Sequence, residues 1–431
     1  MFTYLVGNGG IISTQNWALA TGQWGNYFKN SKTQQLKTQT PTTQNPTTQN
    51  SKMIYDVAIV GGGLAGLVSS IELARQGWTV VLIERKSYPF HRVCGEYISN
   101  EVRPYLQHLG LDLVQLGVKN ITRFAFTSPS GRTLQTNLDL GGFGISRYVL
   151  DFELYQLAQQ AGVQFLLNQN VEDVQFIPQN ETGFFELATP DFSKITAKMV
   201  LGAYGKAAKI DKTLNRDFTR QKSPYVGVKY HIRTADFPTD LIALHNFEDG
   251  YCGISAIEAD KYCLCYLTTR NNLRQHGNIA EMERAVLHQN PHLKRIFTQS
   301  EFLYERPEVI NEFSFAPKTA VENHMLMIGD AAGLIAPLCG NGMAMAIHGG
   351  KIAAQLTHQF LKGHLSRVEL EAQYSQAWRW QFGARLWVGR NVQRLFGRKW
   401  LSELALSFFK TAPPLLTFVM KQTHGKTLEE Y

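Results

Sequence analysis

Gly61, Gly63 and Gly66 stand in G-x-G-x-x-G spacing after the apolar run Asp56–Val60 and ahead of a helical pattern of Leu67, Ile71, Leu73 and Ala74. A second apolar run, Val80–Ile83, ends at Glu84, 18 positions after Gly66. Each residue has a mechanical reason to be there. Gly61 permits a tight strand-to-helix turn, Gly63 lets backbone amides approach a pyrophosphate, and Gly66 lets the helix pack on the strand. The helix N-terminus then faces the anion. An acid at the end of the second strand holds two ribose hydroxyls. The chemistry is that of binding a dinucleotide.

A second stretch, His324–Leu356, carries a different set of groups. Met325–Ile328 reads as a buried strand ended by Gly329-Asp330, where Asp330 is placed to accept hydrogen bonds from a polyol. A loop through Pro337 and Cys339 leads to Gly340-Asn341-Gly342, which opens a long helix containing Gly349 and Gly350. Bare amides from Gly340 to Met343, backed by a helix N-terminus, stabilise negative charge. Between the two stretches lies Arg92, a fixed cation within reach of a pyrophosphate. Beside it, Cys94-Gly95-Glu96 sets a thiol, a flexible joint and a carboxylate near the middle of the bound molecule.

The elements that must position these groups follow from periodicity. Residues 121–136 suggest two strands around Ser130-Gly131. Arg147 opens a helix with Leu150, Leu154 and Leu157 in register, and Gly162 stops it. Phe165–Leu167, Val171–Phe176, residues 184–189 and Met199–Ala203 read as strands. Residues 223–270 change character, with four strand-length runs separated by turn residues, and predict an antiparallel sheet that forms a substrate-facing wall. His231, His245, Tyr230 and Tyr251 lie on it, and sheet aromatics of this kind pack more often than they react. His288 and His292 are four apart, but Pro291 interrupts the helix and no carboxylate completes a set, so no metal is expected.

Composition narrows the class. The 43 basic and 35 acidic residues give a formal +8, half of it from four lysines in residues 1–52, so no nucleic-acid stripe remains. Five cysteines, none in a CxxC pair, fit free thiols in a reducing cytosol. No run of eighteen uncharged apolar residues predicts a spanning helix. Residues 1–52, with the PTTQN-PTTQN repeat at 41–50, read as a disordered extension or as a mis-called start preceding Met53. Near the C-terminus, residues 379–399 hold six basic groups and no acid, with Val388, Val392, Leu395 and Phe396 on one helical face. Leu401–Phe409 and Leu415–Met420 follow, split by Pro413-Pro414. Such a segment (379–420) either lies on an anionic membrane or caps the substrate domain with its arginines facing water. Trp378 and Trp380, at its start, read as packing.

From Ile54 to about Phe396 these motifs resemble the flavoprotein superfamily of p-hydroxybenzoate hydroxylase, geranylgeranyl reductases and flavin-dependent halogenases. The resemblance implies an α/β fold with a Rossmann-like FAD-binding domain built from 53–120, 145–222 and 315–362. It also implies an inserted, mainly antiparallel substrate domain (121–144 and 223–314) and a C-terminal helical segment (363–431). FAD would be held by Gly61, Gly63, Leu64, Ala65 and Gly66 at the pyrophosphate, and by Glu84, Arg85, Arg92, Arg147 and Val171 towards the nucleotide. Gly329, Asp330, Gly340, Asn341, Gly342 and Met343 would serve the ribityl chain and ring, with NAD(P)H as electron donor. Ala203-Tyr204-Gly205-Lys206 departs from the family's middle motif, with Tyr204 in the place of an acid. Trp378-Arg379-Trp380 lacks the Ile-Pro of the halogenase motif. The loop at 94–96 leans towards the reductase branch, so the expected reaction is reduction of an isoprenoid or activated C=C bond in a hydrophobic substrate. Cys94, Glu96 and Tyr251 are its candidate acids. The alternatives are an FAD-dependent monooxygenase acting on an aromatic or polyketide-like ring, and a non-catalytic flavin-binding or electron-transfer protein. The expected location is cytoplasmic, with membrane association through the basic segment.

Overall fold

The computed structural model describes residues 53–411 apart from 180–181, 192–193, 207–208, 221–222, 312–313, 337–339 and 396–398, together with Gly425, Thr427 and Leu428. The leader with its repeat, Pro337, Cys339, Phe396, Arg398 and the run Leu415–Met420 lie outside these residues.

Strand β1 (Met53–Val60), helix α1 (Leu64–Arg75) and strand β2 (Val80–Glu84) make the first unit. β1 and β2 pair in parallel, with Val57 opposite Val80 and Val60 opposite Ile83. All five residues of β2 are buried, as continuous apolar strands must be when both faces of a sheet are covered. Helix α2 (Arg147–Gln160) starts at Ser146, whose hydroxyl accepts from the Val149 amide at 3.2 Å. Strand β3 (Ile195–Gly202) then pairs in parallel on the other side of β1. The connections therefore diverge from β1, and Gly61 lies at the carboxyl end of that switch point, where open α/β sheets bind ligands.

A second sheet is built on β4 (Tyr225–Arg233), β5 (Gly250–Ile257) and β6 (Lys261–Thr269), in the order β4-β6-β5. Strands 241–247, 119–127, 133–144 and 97–99 extend it, and every pairing is antiparallel except 119–127 with 241–247. Among the described residues the first sheet has eight strands and the second nine. Side chains alternate between the two faces. Val226, Val228, Tyr230, Ile232, Ile254 and Leu264 close a separate core with Met282, Leu293 and Ile296 of two helices. Lys229, His231, Ser255 and Cys263 take the opposite face. Pro291 sits in the first turn of one of those helices rather than interrupting it, because its missing N–H is unneeded there.

The chain re-enters the first sheet as β7 (Met325–Met327), parallel to β3. Helix α3 (Gly342–Leu361) packs on α1, and α4 (Arg367–Leu395) packs on α3. Gly349 receives the Trp378 ring, since a Cβ there would lie 2.9 Å from it. The expectation that both tryptophans pack holds for Trp378 (4% exposed) and fails for Trp380 (84%). Two residues apart on a helix, they face opposite sides. The expected water-facing arginines also need correction. Arg385 is buried and pairs with Glu101 at 3.2 Å. Helix α5 (Lys399–Thr411) lies on the second sheet through Leu406. Among the described residues no helix is long and apolar enough to cross a membrane.

Candidate active site

The three motif glycines do different things. Gly61 has φ +107°, and a Cβ on it would lie 2.6 Å from the Ala203 carbonyl oxygen. A Cβ on Gly66 would strike the Gly61 carbonyl. Gly63, at the N-cap of α1, would meet only the Arg147 guanidinium at 3.8 Å. Backbone closes around the first two, and open space remains in front of the third, with buried Leu64 and Ala65 behind it. Glu84 accepts from the Gly62 amide (2.8 Å) and the Lys86 amide (3.1 Å). Arg92 ties this acid to α2: it donates to Glu84 (3.3 Å), to the Gly62 carbonyl (2.9 Å) and to Asp151 (3.0 Å). Arg147 grips the same Asp151 with two bonds of 2.6 and 2.8 Å. Asp151 was missed in the sequence, although it stands four residues after Arg147 on one helix face, the spacing of an ion pair. Arg85 is exposed beside this network, and Val171 is buried between strands 164–167 and 173–177.

Asp330 begins the other end. It follows β7 in a single turn, half-buried, next to Gly329 (φ +59°), where a Cβ would lie 3.2 Å from the Ala65 side chain. Its carbonyl accepts from Lys318 Nζ at 2.8 Å. Burial pushes the Lys318 amine down to about 8, against the support of Asp330 and Asp211. Tyr204, in the departing middle motif, donates to buried Asp211 at 3.0 Å. Arg216 bonds Asp211 (3.0 Å) and the Ala331 carbonyl (2.9 Å), so this network fixes the turn that carries Asp330. Gly340, Asn341, Gly342 and Met343 form the approach and first turn of α3, with Gly340 (φ +63°) against the Tyr97 ring.

One contact relates the two ends. A Cβ on Gly350 would lie 2.7 Å from the Ala65 carbonyl oxygen, so α3 crosses the start of α1 at that point. Gly342 lies eight residues back along α3, about 12 Å at 1.5 Å per residue. That separation suits a pyrophosphate at one helix N-terminus and a ring system at the other. The open cradle at Gly63, the acid closing the second strand and the half-buried Asp330 fit a flavin dinucleotide.

Loop 94–97 packs on the second sheet, where Cys263 Sγ donates to the Cys94 carbonyl at 3.2 Å and Ser255 Oγ to the Gly95 carbonyl at 3.4 Å. Gly253 and Cys265, paired in register at mid-sheet, are half-exposed while their strand neighbours are buried, so the sheet face is open above them. Gly95 is exposed, and Cys94 is half-buried. At one side of this opening Glu96 is fully buried with φ +54°, a backbone conformation costly for a residue with a side chain. Its carboxylate accepts from Lys229 Nζ (2.5 Å), His231 Nε2 (2.6 Å) and the Arg147 amide (2.9 Å). Burial alone would raise its pKa, but the Lys229 charge and these hydrogen bonds hold it down at about 2. Glu96, His231 and Cys263 present ligand-type atoms within 4.8 Å of one another, yet Lys229 already supplies the positive charge on that carboxylate. Tyr251 shares this sheet face but not the cluster. Four residues along β5 from Ser255, its hydroxyl donates to Gln393 at 3.1 Å. The structure therefore joins Cys94 and Glu96 and sets Tyr251 at the opposite side. Lys229 and His231 were passed over as sheet residues, although a lysine inside an apolar strand was a visible signal.

The sequence model of the FAD-binding domain family matches residues 54–381. The chain belongs to this family. It is an FAD-dependent oxidoreductase. This flavoprotein is similar to conditioned medium factor receptor 1 of Dictyostelium discoideum, 26% identical over 361 residues that cover 77% of this chain and 68% of the relative. It is also similar to digeranylgeranylglycerophospholipid reductase 1 of Methanococcoides burtonii, 23% identical over 381 residues, 82% of this chain and 87% of the relative. In fold it resembles the flavin-dependent brominase Bmp2, with a TM-score of 0.70 at 19% identity over 88% of this chain and 95% of the other.

Proposed function

We propose that this flavoprotein reduces a carbon–carbon double bond in a hydrophobic, isoprenoid-like substrate. The observation that carries the reading is the opening over Gly253 and Cys265, which lies beside Cys94, Gly95 and the loop that touches Gly340. The likeness to an archaeal lipid reductase, over most of both chains, supports the same choice. FAD supplies the hydride. The chain's residues bind, orient and shield. Gly61, Gly63 and Gly66, with the N-terminus of α1, hold the pyrophosphate, and Glu84 holds the ribose of the nucleotide half. Arg92 and Arg147 are fixed by Asp151 beside it. Asp330 takes the ribityl hydroxyls, and the amides from Gly340 to Met343 stabilise charge on the ring. A greasy substrate is delivered from a membrane surface along α5, whose Trp400, Leu404 and Phe408 are exposed at helical spacing.

Anaerobic turnover of chemically reduced protein with geranylgeranyl and digeranylgeranyl lipids tests the reaction. The expected result is a saturated product and oxidised flavin without oxygen. Product formed only after oxygen is admitted would assign oxygen insertion instead.

A further inference from the structure

Four side chains from three segments make one unbroken line of hydrogen bonds. His91 is half-buried at the surface, stacked on exposed Tyr148 at 4.7 Å. Its Nδ1 lies 3.0 Å from the Tyr304 hydroxyl. That hydroxyl is 2.9 Å from Nδ1 of His231, whose Nε2 is 2.6 Å from Glu96. The polarity of the line follows from its inner end. Glu96 is ionised beside Lys229 and can only accept, so His231 carries its proton on Nε2 and offers a bare Nδ1. Tyr304 therefore donates to His231, and its oxygen is left to accept from Nδ1–H of His91. Every donor points inwards.

We propose that His91, Tyr304, His231 and Glu96 form a proton relay from solvent to the substrate side of loop 94–97. It rests on the placement of the ring beside Gly340 given above. Reducing a C=C bond moves a hydride, with its electron pair, to one carbon and requires one proton on the other. In the relay a proton enters at His91 Nε2. The His91 Nδ1 proton passes to Tyr304, the Tyr304 proton to His231 Nδ1, and the His231 Nε2 proton to Glu96, one residue from exposed Gly95. One proton moves inwards; neutral Glu96 then gives it to the substrate carbon, its O–H bond breaking as the C–H bond forms, and the carboxylate returns to its pair with Lys229. Burial, with Lys229 nearby, pushes His91 down to about 4, so at neutral pH it passes a proton on rather than retaining it. The charged and titratable groups facing the line are Lys229, Lys261, Glu96, Cys263 and Glu308.

The relay has two independent readouts. In flavin-free protein labelled with 15N-histidine, His231 should be the Nε2-protonated neutral ring. At neutral pH the Tyr304 hydroxyl should couple the Nδ1 signals of His91 and His231, and Tyr304→Phe should abolish that coupling. In flavin-loaded protein, photoreduced and then mixed with oxygen, reoxidation to hydrogen peroxide consumes one proton. Tyr304→Phe should keep flavin occupancy and slow this phase at least tenfold with an altered solvent deuterium effect. His91→Ala should slow it similarly, and added imidazole should restore the rate in His91→Ala but not in Tyr304→Phe. An Nδ1-protonated neutral His231, or wild-type rates and isotope effect in Tyr304→Phe, would overturn the relay. Failure of the ring placement shows differently. Asp330→Ala would then keep its flavin, while the histidine coupling in flavin-free protein would still be present.

Discussion

Gly63 is the motif glycine whose missing side chain leaves room for a ligand rather than for backbone. A large side chain there should fill the cradle without touching the core, so Gly63→Trp should retain its far-ultraviolet circular dichroism and lose nearly all bound flavin. Asp330→Ala removes the acceptor proposed for the ribityl hydroxyls and should lower occupancy several-fold, read as flavin extracted per chain. Full occupancy in Gly63→Trp would remove the pyrophosphate from the start of α1. The same scale explains Glu96. Its left-handed backbone persists because three donors converge on the carboxylate, and deleting Lys229 would leave a buried charge unpaired.

At the scale of elements, the site depends on how closely α3 approaches α1. Gly350 has the Ala65 carbonyl 2.7 Å from where its Cβ would be, so a larger side chain must push the helices apart. Gly350→Val should cost about 1–3 kcal/mol by overpacking, and it should weaken flavin binding because both helix N-termini move. Gly383, inside α4, has nothing within 4 Å and serves as the contrast. Gly383→Ala should stabilise by about 0.5–1 kcal/mol through helix propensity, with flavin content unchanged. Denaturant titration of both variants separates packing from propensity. Equal effects of the two substitutions would mean that the crossing is not tight.

For the whole molecule, the outer surface of α5 bears on where the substrate comes from. Ser402 and Leu406 face the second sheet, whereas Trp400, Leu404 and Phe408, offset by half a turn, are 52–62% exposed. Exchanging these three for Gln should sharply reduce co-sedimentation with phosphatidylglycerol vesicles and leave flavin content intact. Unchanged sedimentation would reject membrane delivery, and the substrate would then have to arrive in solution or from a carrier protein.

Local rules were enough to read the glycine turn, the acid at Glu84, the strand ending at Gly329-Asp330 and the helix opened by Gly342, because spacing along the chain fixes each of them. Helical periodicity likewise gave the later part of α4, from Arg379, but not which tryptophan of the pair would be covered, since that depends on the partner helix. His231 meets Glu96 across 135 positions and Tyr304 meets His91 across 213. Strand order and sheet face decide those contacts, and no short window of sequence contains either. The cofactor was written in the chain because each of its binding motifs is local. The proton path exists only after one sheet and two loops fold against one another.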